Sequence, residues 1–323
     1  MIEISFTEFL IGKRERMSWI QETSYGTGGT MSSGEIVGYD CIIEPDFSQG
    51  WQEYLTGGAD NRNVQGRVKG PLQLPYTMTF TPVNWRWLKY IMAVADAGGP
   101  VYTHTFTMRN TILSYKMEWA RRASTNHVLT VVGNAVKSAN ISWSKATGEG
   151  TDGWLKVALQ CVGQDVSEGS SVTSLSNLSN DPFQYRSCKI TIDGSEYKEV
   201  NNGEMNINNG VEEQDSRYCN STYDNLLGEP IPKTFRITGR FNITIKDSTL
   251  YDLWAAGTAV SGACTLLFDR DGSGDDQILF TYNNFFIFKA IGPTNLEGPT
   301  NVDVIWAANA FTSVVAKDGV ATY

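Results

Sequence analysis

Two stretches decide the fold class: YTMTFTPVNWRWLKY, Tyr76 to Tyr90, and FNITIKDSTLYDLWA, Phe241 to Ala255. In the first, Tyr76, Met78 and Phe80 alternate with Thr77, Thr79 and Thr81. In the second, Phe241, Ile243 and Ile245 alternate with Asn242, Thr244 and Lys246. Alternation of this kind sends one set of side chains into a core and the other to a wet face, which describes a half-buried β-strand. Each strand runs directly into a helical pattern. Trp85, Leu88, Ile91 and Ala95 share one stripe of a predicted helix, and Leu250 and Leu253 share the stripe of another. Asp247 suits the N-cap of that second helix and Gly257 its C′ position.

The two stretches are related. Phe241 and Leu253 follow Tyr76 and Leu88 by the same 165 residues, and a further strand follows each, VYTHTF from Val101 and TLLF from Thr265. Upstream, GYDCIIE from Gly38 and GEMNINN from Gly203 correspond at an offset of 164, with Met205 and Ile207 matching Cys41 and Ile43. LKVALQCVG from Leu155 and VDVIWAA from Val302 supply the terminal strands. The chain thus reads as mainly β, two tandem copies of one strand-rich domain with one packed helix each. The expected organisation is an N-terminal arm at 1–35, a first domain at 36–166, a Ser- and Asn-rich linker at 167–182, and a second domain at 183–323. The excursions 47–74 and 210–232 exceed the ~12–15 residues of ordinary loops and are expected to project as binding arms.

Composition narrows the function. The 323 residues hold 26 Lys and Arg against 35 Asp and Glu, a net charge of −9, with only 19% charged residues. Wrapping nucleic acid needs clustered basic side chains, which this balance does not provide. A conduit that a polyanion must cross without sticking remains compatible with it. The five cysteines are scattered and unpaired in pattern, which suggests buried thiols in a chain made in a reducing cytoplasm. The apolar residues at the start precede the charges, the reverse of a signal peptide, and no apolar run is long enough to span a membrane.

With two histidines, no GxSxG and no HExxH, neither an enzyme nor a cofactor is expected. Carboxylates such as Asp40 and Glu44 alternate with apolar residues, as on a solvated strand face. Asp269, Asp271, Ser273 and Asp275 fall on positions one, three, five and seven of a calcium loop, but Phe280 stands where the bidentate Glu is required. The favoured expectation there is a hairpin tip, with weak calcium binding as the lesser alternative.

WIQETSYGTGGT, Trp19 to Thr30, resembles the short ETxxGT segment near the start of phage tail tube proteins. CKITIDGSEYKEVNNGEMNINNGVEE, Cys188 to Glu213, is similar to the opening of a tail tube domain. The duplicated order of elements resembles the two-domain tail tube proteins of long-tailed phages and related archaeal viruses. That resemblance implies β-sandwiches flanked by a helix, whose inner sheets join on oligomerisation into a β-barrel lining a channel. It implies a structural virion protein of the tail, made in the host cytoplasm, that stacks as trimeric, pseudo-hexameric rings. The partners implied are other copies, the tape measure, terminator and baseplate proteins, and DNA in transient passage, with no membrane. Face alternation then assigns Asp40, Glu44, Thr77, Thr79, Thr81, Glu204, Asn206, Asn208, Arg240, Asn242, Thr244 and Lys246 to a slightly acidic lumen. Trp19, Tyr25, Trp51, Tyr54, Arg62, Arg67, Tyr218 and Tyr223 are the candidate contacts between subunits and rings. The alternatives are a receptor- or carbohydrate-binding tail module using the many aromatics, or another tail component such as a terminator or baseplate hub.

Overall fold

A computed structural model describes residues 15–54, 66–121, 126–146, 153–212, 228–245, 248–290 and 300–323. Among the described residues the strands up to the start of the central linker are β1 (Glu15–Gln21), β2 (Glu35–Ile36), β3 (Tyr39–Pro45), β4 (Ser48–Tyr54), β5 (Gly66–Thr81), β6 (Ala93–Gly99), β7 (Val101–Thr107), β8 (Tyr115–Arg121), β9 (His127–Ser144), β10 (Lys156–Gly163) and β11 (Asp165–Gly169). After it come β12 (Cys188–Ile192), β13 (Ser195–Tyr197), β14 (Val200–Asn208), β15 (Val211–Glu212), β16 (Ile231–Pro232), β17 (Arg236–Ile245), helix α1 (Thr249–Ala256), β18 (Thr265–Asp269), β19 (Gln277–Lys289) and β20 (Thr300–Asp318). The protein is mainly β, as its alternating sequence requires.

The strands fall into two groups with one pairing order. In the first, β3 pairs with β5, β5 with β10 and β10 with β9. In the second, β14 pairs with β17, β17 with β20 and β20 with β19. All these pairings are antiparallel. The C-terminal half of β9 also pairs with β14, Ser144 opposite Asn202 through Ser138 opposite Asn208, so the two sheets are one. Its order is β3-β5-β10-β9-β14-β17-β20-β19. The long strands β9, β19 and β20 continue past this sheet into a second layer. There β9 meets β8 and β11, β8 meets β1, β19 meets β18, and β18 meets β12. The core lies between the layers, with Trp19, Met78, Phe80, Ile141, Met205, Phe241, Phe268, Phe280 and Trp306 all buried.

Two glycines make the join possible. Gly203 faces Trp143 across the β9–β14 ladder, and a Cβ there would lie 2.4 Å from the indole Cζ2. Gly239 faces Trp306 in the same way across β17–β20, at 2.3 Å. Each indole occupies the space a side chain would fill; Trp143 reaches Phe241 at 6.0 Å and Phe268 at 5.2 Å between ring centroids.

Several expectations are corrected. The predicted first helix is only a 3-10 turn, Arg86–Tyr90, and Ala95 belongs to β6. An amphipathic helix needs a wet face, but Trp85, Trp87, Leu88, Tyr90, Ile91 and Met92 are all buried. The segment is a plug between the strand groups, with Trp85 against Phe183 at 5.1 Å and Phe268 at 5.8 Å. Helix α1 forms as expected and ends on Gly257 in the left-handed region at φ 65°; its N-cap position is Ser248, and Asp247 lies outside the described residues.

The counterpart of β18 by pairing is β8 and not β7. The β6–β7 hairpin instead docks on β20, and His104 of β7 is fully buried there. Its Nδ1 lies 2.7 Å from Asp96 Oδ1 and its Nε2 3.2 Å from Asp318 Oδ1, while its ring stacks on Tyr323 at 3.7 Å. The offsets of 164 and 165 would pair Ile207 with Ile243, whereas Ile207 pairs with Ile237. Alternating strands match themselves at every even slip, so sequence comparison preserved the face and lost the register.

Residues 15–35 are no free arm. Strand β1 pairs along its length with β8 and buries Met17 and Trp19. The glycines that follow turn the chain, and the buried Glu22 carboxylate accepts from Gly26 N at 3.1 Å and Gly133 N at 2.9 Å. Residues 1–14 lie outside the described residues. The 167–182 linker begins as part of β11 and is then pinned. Thr173 N and Oγ1 donate to Glu118 at 3.1 and 2.5 Å, and Arg16 donates to the same carboxylate at 3.2 Å. In the described parts of the excursion 47–74, β4 pairs with β5, and 210–232 begins and ends as the ribbon β15–β16.

Beneath the β9 bend, Tyr76 Oη donates to Asn134 Oδ1 at 2.8 Å and lies 2.9 Å from Tyr115 Oη, which donates to Cys161 Sγ at 3.0 Å. Burial pushes the Cys161 thiol up from 9.0 to about 12 and both phenols well above 10.0. These groups stay protonated in the fold at pH values where the unfolded chain releases their protons. Their contribution to stability is therefore intact below about pH 9 and is lost progressively as pH rises through the folded values. Urea unfolding midpoints are expected to be level between about pH 7 and 8 and to fall clearly by about pH 11. Gly203→Val, which drives a branched side chain into Trp143, is expected to lower unfolding stability by about 2 kcal/mol in the same assay.

Candidate functional site

The shared sheet has one face against the core and one face away from it. Residues directly opposite in an antiparallel ladder lie on the same face, so the registers trace rows across the sheet. One row runs Glu44, Thr77, Gln160, Ser138, Asn208, Arg236. The next runs Ile42, Thr79, Ala158, Asn140, Asn206, Thr238, Ala307, Phe286. A third contains Lys156, Ser142, Glu204, Arg240 and Ile305, and a fourth Ser144, Asn202, Asn242 and Asp303. The centre of this surface is hydroxyl and amide, and its large apolar side chains lie toward its ends.

The polar side chains hold one another. Asn242 Nδ2 donates to Asp303 Oδ1 at 2.8 Å, Thr244 Oγ1 to Asn301 Oδ1 at 2.7 Å, and Asn201 Nδ2 to Asn242 Oδ1 at 3.0 Å. Ser138 Oγ donates to Gln160 Oε1 at 3.0 Å, and Arg240 Nε lies 4.0 Å from Glu204 Oε1. Groups already engaged with neighbours present few free donors to a passing ligand. Acidic and basic side chains are interspersed: Glu44, Glu204 and Asp303 share the rows with Lys156, Arg236, Arg240 and Lys289.

Of the residues read as one face, Glu44, Thr77, Thr79, Glu204, Asn206, Asn208, Arg240, Asn242 and Thr244 do share it. Thr81 is buried where β5 meets the plug, Asp40 is exposed in a bulge at φ 48°, and Lys246 lies outside the described residues. The sequence reading missed the central strands, whose Ser138, Asn140, Ser142, Lys156, Ala158 and Gln160 link the two halves of the face. Alternation in NAVKSANISWS, Asn134 to Ser144, was the signal available.

The contact candidates divide. Trp19 is core, edge-on to Tyr115 at 5.6 Å with Nε1 donating to Glu35 Oε1 at 3.3 Å. Tyr25 is half-buried beside Gly133. Trp51 and Tyr54 lie on β4 and Arg67 on β5; Arg62, Tyr218 and Tyr223 lie outside the described residues. Trp85, Trp87, Trp119, Trp143 and Trp306 are also buried, which removes most of the platform a sugar would stack on.

Asp269 to Asp276 form the tip of the β18–β19 hairpin, where the carboxylates close turns. Asp269 Oδ1 accepts from Gly272 N at 2.9 Å, and Asp271 accepts from Ser273 N at 3.0 Å and Ser273 Oγ at 2.6 Å. The Ser273 hydrogen bonds hold the Asp271 carboxyl below its ordinary value. Among the described residues, no group of three or more His, Cys, Asp and Glu is placed to hold a metal ion. Cys41, Cys161, Cys188 and Cys264 are free thiols, and Cys219 lies outside the described residues. Among the described residues no helix is long and apolar enough to cross a membrane.

Residues 12–313 match the family described as phage tail tube protein. No match is found among curated proteins.

The Asn242–Asp303 bond gives the face a direct test. Asn242→Asp sets two carboxylates against each other and is expected to cost about 1 kcal/mol near neutral pH. The cost is read as the fall in melting temperature relative to the unsubstituted chain at the same pH.

Proposed function

Because this chain belongs to the phage tail tube protein family, we propose that it is a structural virion protein whose copies close into rings and stack as the tube that DNA crosses. The observation that carries this reading is the single sheet spanning both strand groups, with one buried face and one polar face. Among the described residues its edges are β3 at one end and the C-terminal half of β19 at the other. Joining β19 of one copy to β3 of the next removes both edges, which otherwise invite uncontrolled pairing. It also closes the polar face inward as a channel wall.

Within the chain, β9 already meets β14 in the way one copy would meet another. Two strand groups per chain give a six-fold arrangement from three chains, and the shared pairing order supports a tandem duplication. Residues 1–14 and the excursions 47–74 and 210–232 bridge copies and rings. A wall of mutually bonded Asn, Ser and Thr, with acidic and basic side chains interspersed, offers phosphates few free donors, so DNA slides over it. Tape measure, terminator and baseplate proteins are the further partners of such a tube. No catalytic step belongs to this role.

Negative-stain microscopy of the concentrated protein tests the reading. Rings or tubes with a central hole and three-chain symmetry are expected, and a protein that stays a compact monomer at every concentration and salt overturns it.

A further inference from the structure

The polar face carries one small apolar cluster in the first strand group, Ala135, Val162 and Val211, with Ile112 packed against it. Ala135 and Val162 are a cross-strand pair of β9–β10, and Val211 opens the ribbon that follows β14. Asn209 ties that ribbon down, its N donating to Lys137 O at 2.8 Å and its Nδ2 to Val136 O at 2.9 Å. Where β14 joins β9, the segment just past β14 thus folds over the sheet and covers it.

The second group repeats the hairpin with the same irregularity. In β9 one extra residue, Lys137, stands between the pairs Val136–Cys161 and Ser138–Gln160. In β19 one extra residue, Phe288, stands between Ile287–Trp306 and Lys289–Ile305. Aligned on this bulge, Phe286 and Ala307 occupy the places of Ala135 and Val162. Phe286 and Ala307 are half-buried, and beside them Phe288 is 63% exposed and Ile305 39%.

We propose that Phe286, Phe288 and Ile305 form a docking surface for a second copy of this chain, and that its occupant is the segment following β3, the start of the β4–β5 hairpin. The assignment rests on the ring reading above. Strand β4 follows β3 as β15 follows β14, and β3 is the opposite edge of the same sheet. The chemistry differs in the expected direction. Covalent connection holds Val211 over Ala135, whereas a contact between separate chains must offset lost translational freedom, and exposed aromatic side chains supply the larger burial.

The test replaces Phe288 with the photoreactive p-benzoylphenylalanine in the full chain, with light and heavy isotopic chains mixed under conditions where the unmodified chain forms rings. Adducts to residues 46–54 or 66–73 of a different copy are expected. Phe288→Asp should raise the concentration needed for half-assembly by roughly tenfold, with circular dichroism and melting temperature unchanged. Adducts elsewhere or within one chain, or a Phe288→Asp chain that assembles at the normal concentration, overturn the docking assignment and leave the ring intact. An unmodified chain that forms no rings overturns the ring reading, and the docking assignment falls with it.

Discussion

The β9–β14 ladder is the constraint on which the rest depends, and it exists because Gly203 has no side chain. With a Cβ 2.4 Å from its ring, Trp143 could not lie across the junction, and the indole would have to leave the core or the strands would have to part. In that place it packs on Phe241 and Phe268 of the second group from a strand of the first. The same device recurs at Gly239 and Trp306. Large flat side chains over bare backbone keep the sheet continuous from β3 to β19 while filling the space behind it.

Continuity has consequences on both faces. Behind the sheet, the groups share a core, sealed by the Trp85 plug and by the β6–β7 hairpin that lends strands of one group to the other layer of its neighbour. A linker of Ser and Asn that would be loose in isolation is held through the buried Glu118, because a desolvated carboxylate collects donors from Arg16 and Thr173. In front of the sheet, a polar surface far wider than either group could make alone is laid out in straight rows, its side chains satisfied by one another. A flat surface of satisfied polar groups suits contact without retention. Among the described residues its two ends are strand edges, and the exposed Ile42 and Phe288 stand on them.

The alternation in YTMTFT and FNITI determined by itself that the chain is mainly β, which side chains face the core, and that two strand groups follow one order. A period of two is a local property of side-chain chemistry, so no neighbour has to be known to read it. Register is not local, since an even slip leaves the face unchanged, and only the packed partners placed Ile207 opposite Ile237. The expected first helix failed for a related reason. Its stripe of Trp85, Leu88 and Ile91 is a true apolar spacing, but Trp87, Tyr90 and Met92, off that stripe, are buried as well, which leaves no wet face of the kind an amphipathic helix needs. The polar face was half legible: its outer strands were read from sequence, while the central β9 and β10 joined it only through pairings between residues far apart in the chain. The apolar patch of Phe286, Phe288 and Ile305 was likewise visible only in the tertiary structure, because the bulge that aligns Phe286 with Ala135 is a feature of pairing between strands and not of either strand alone.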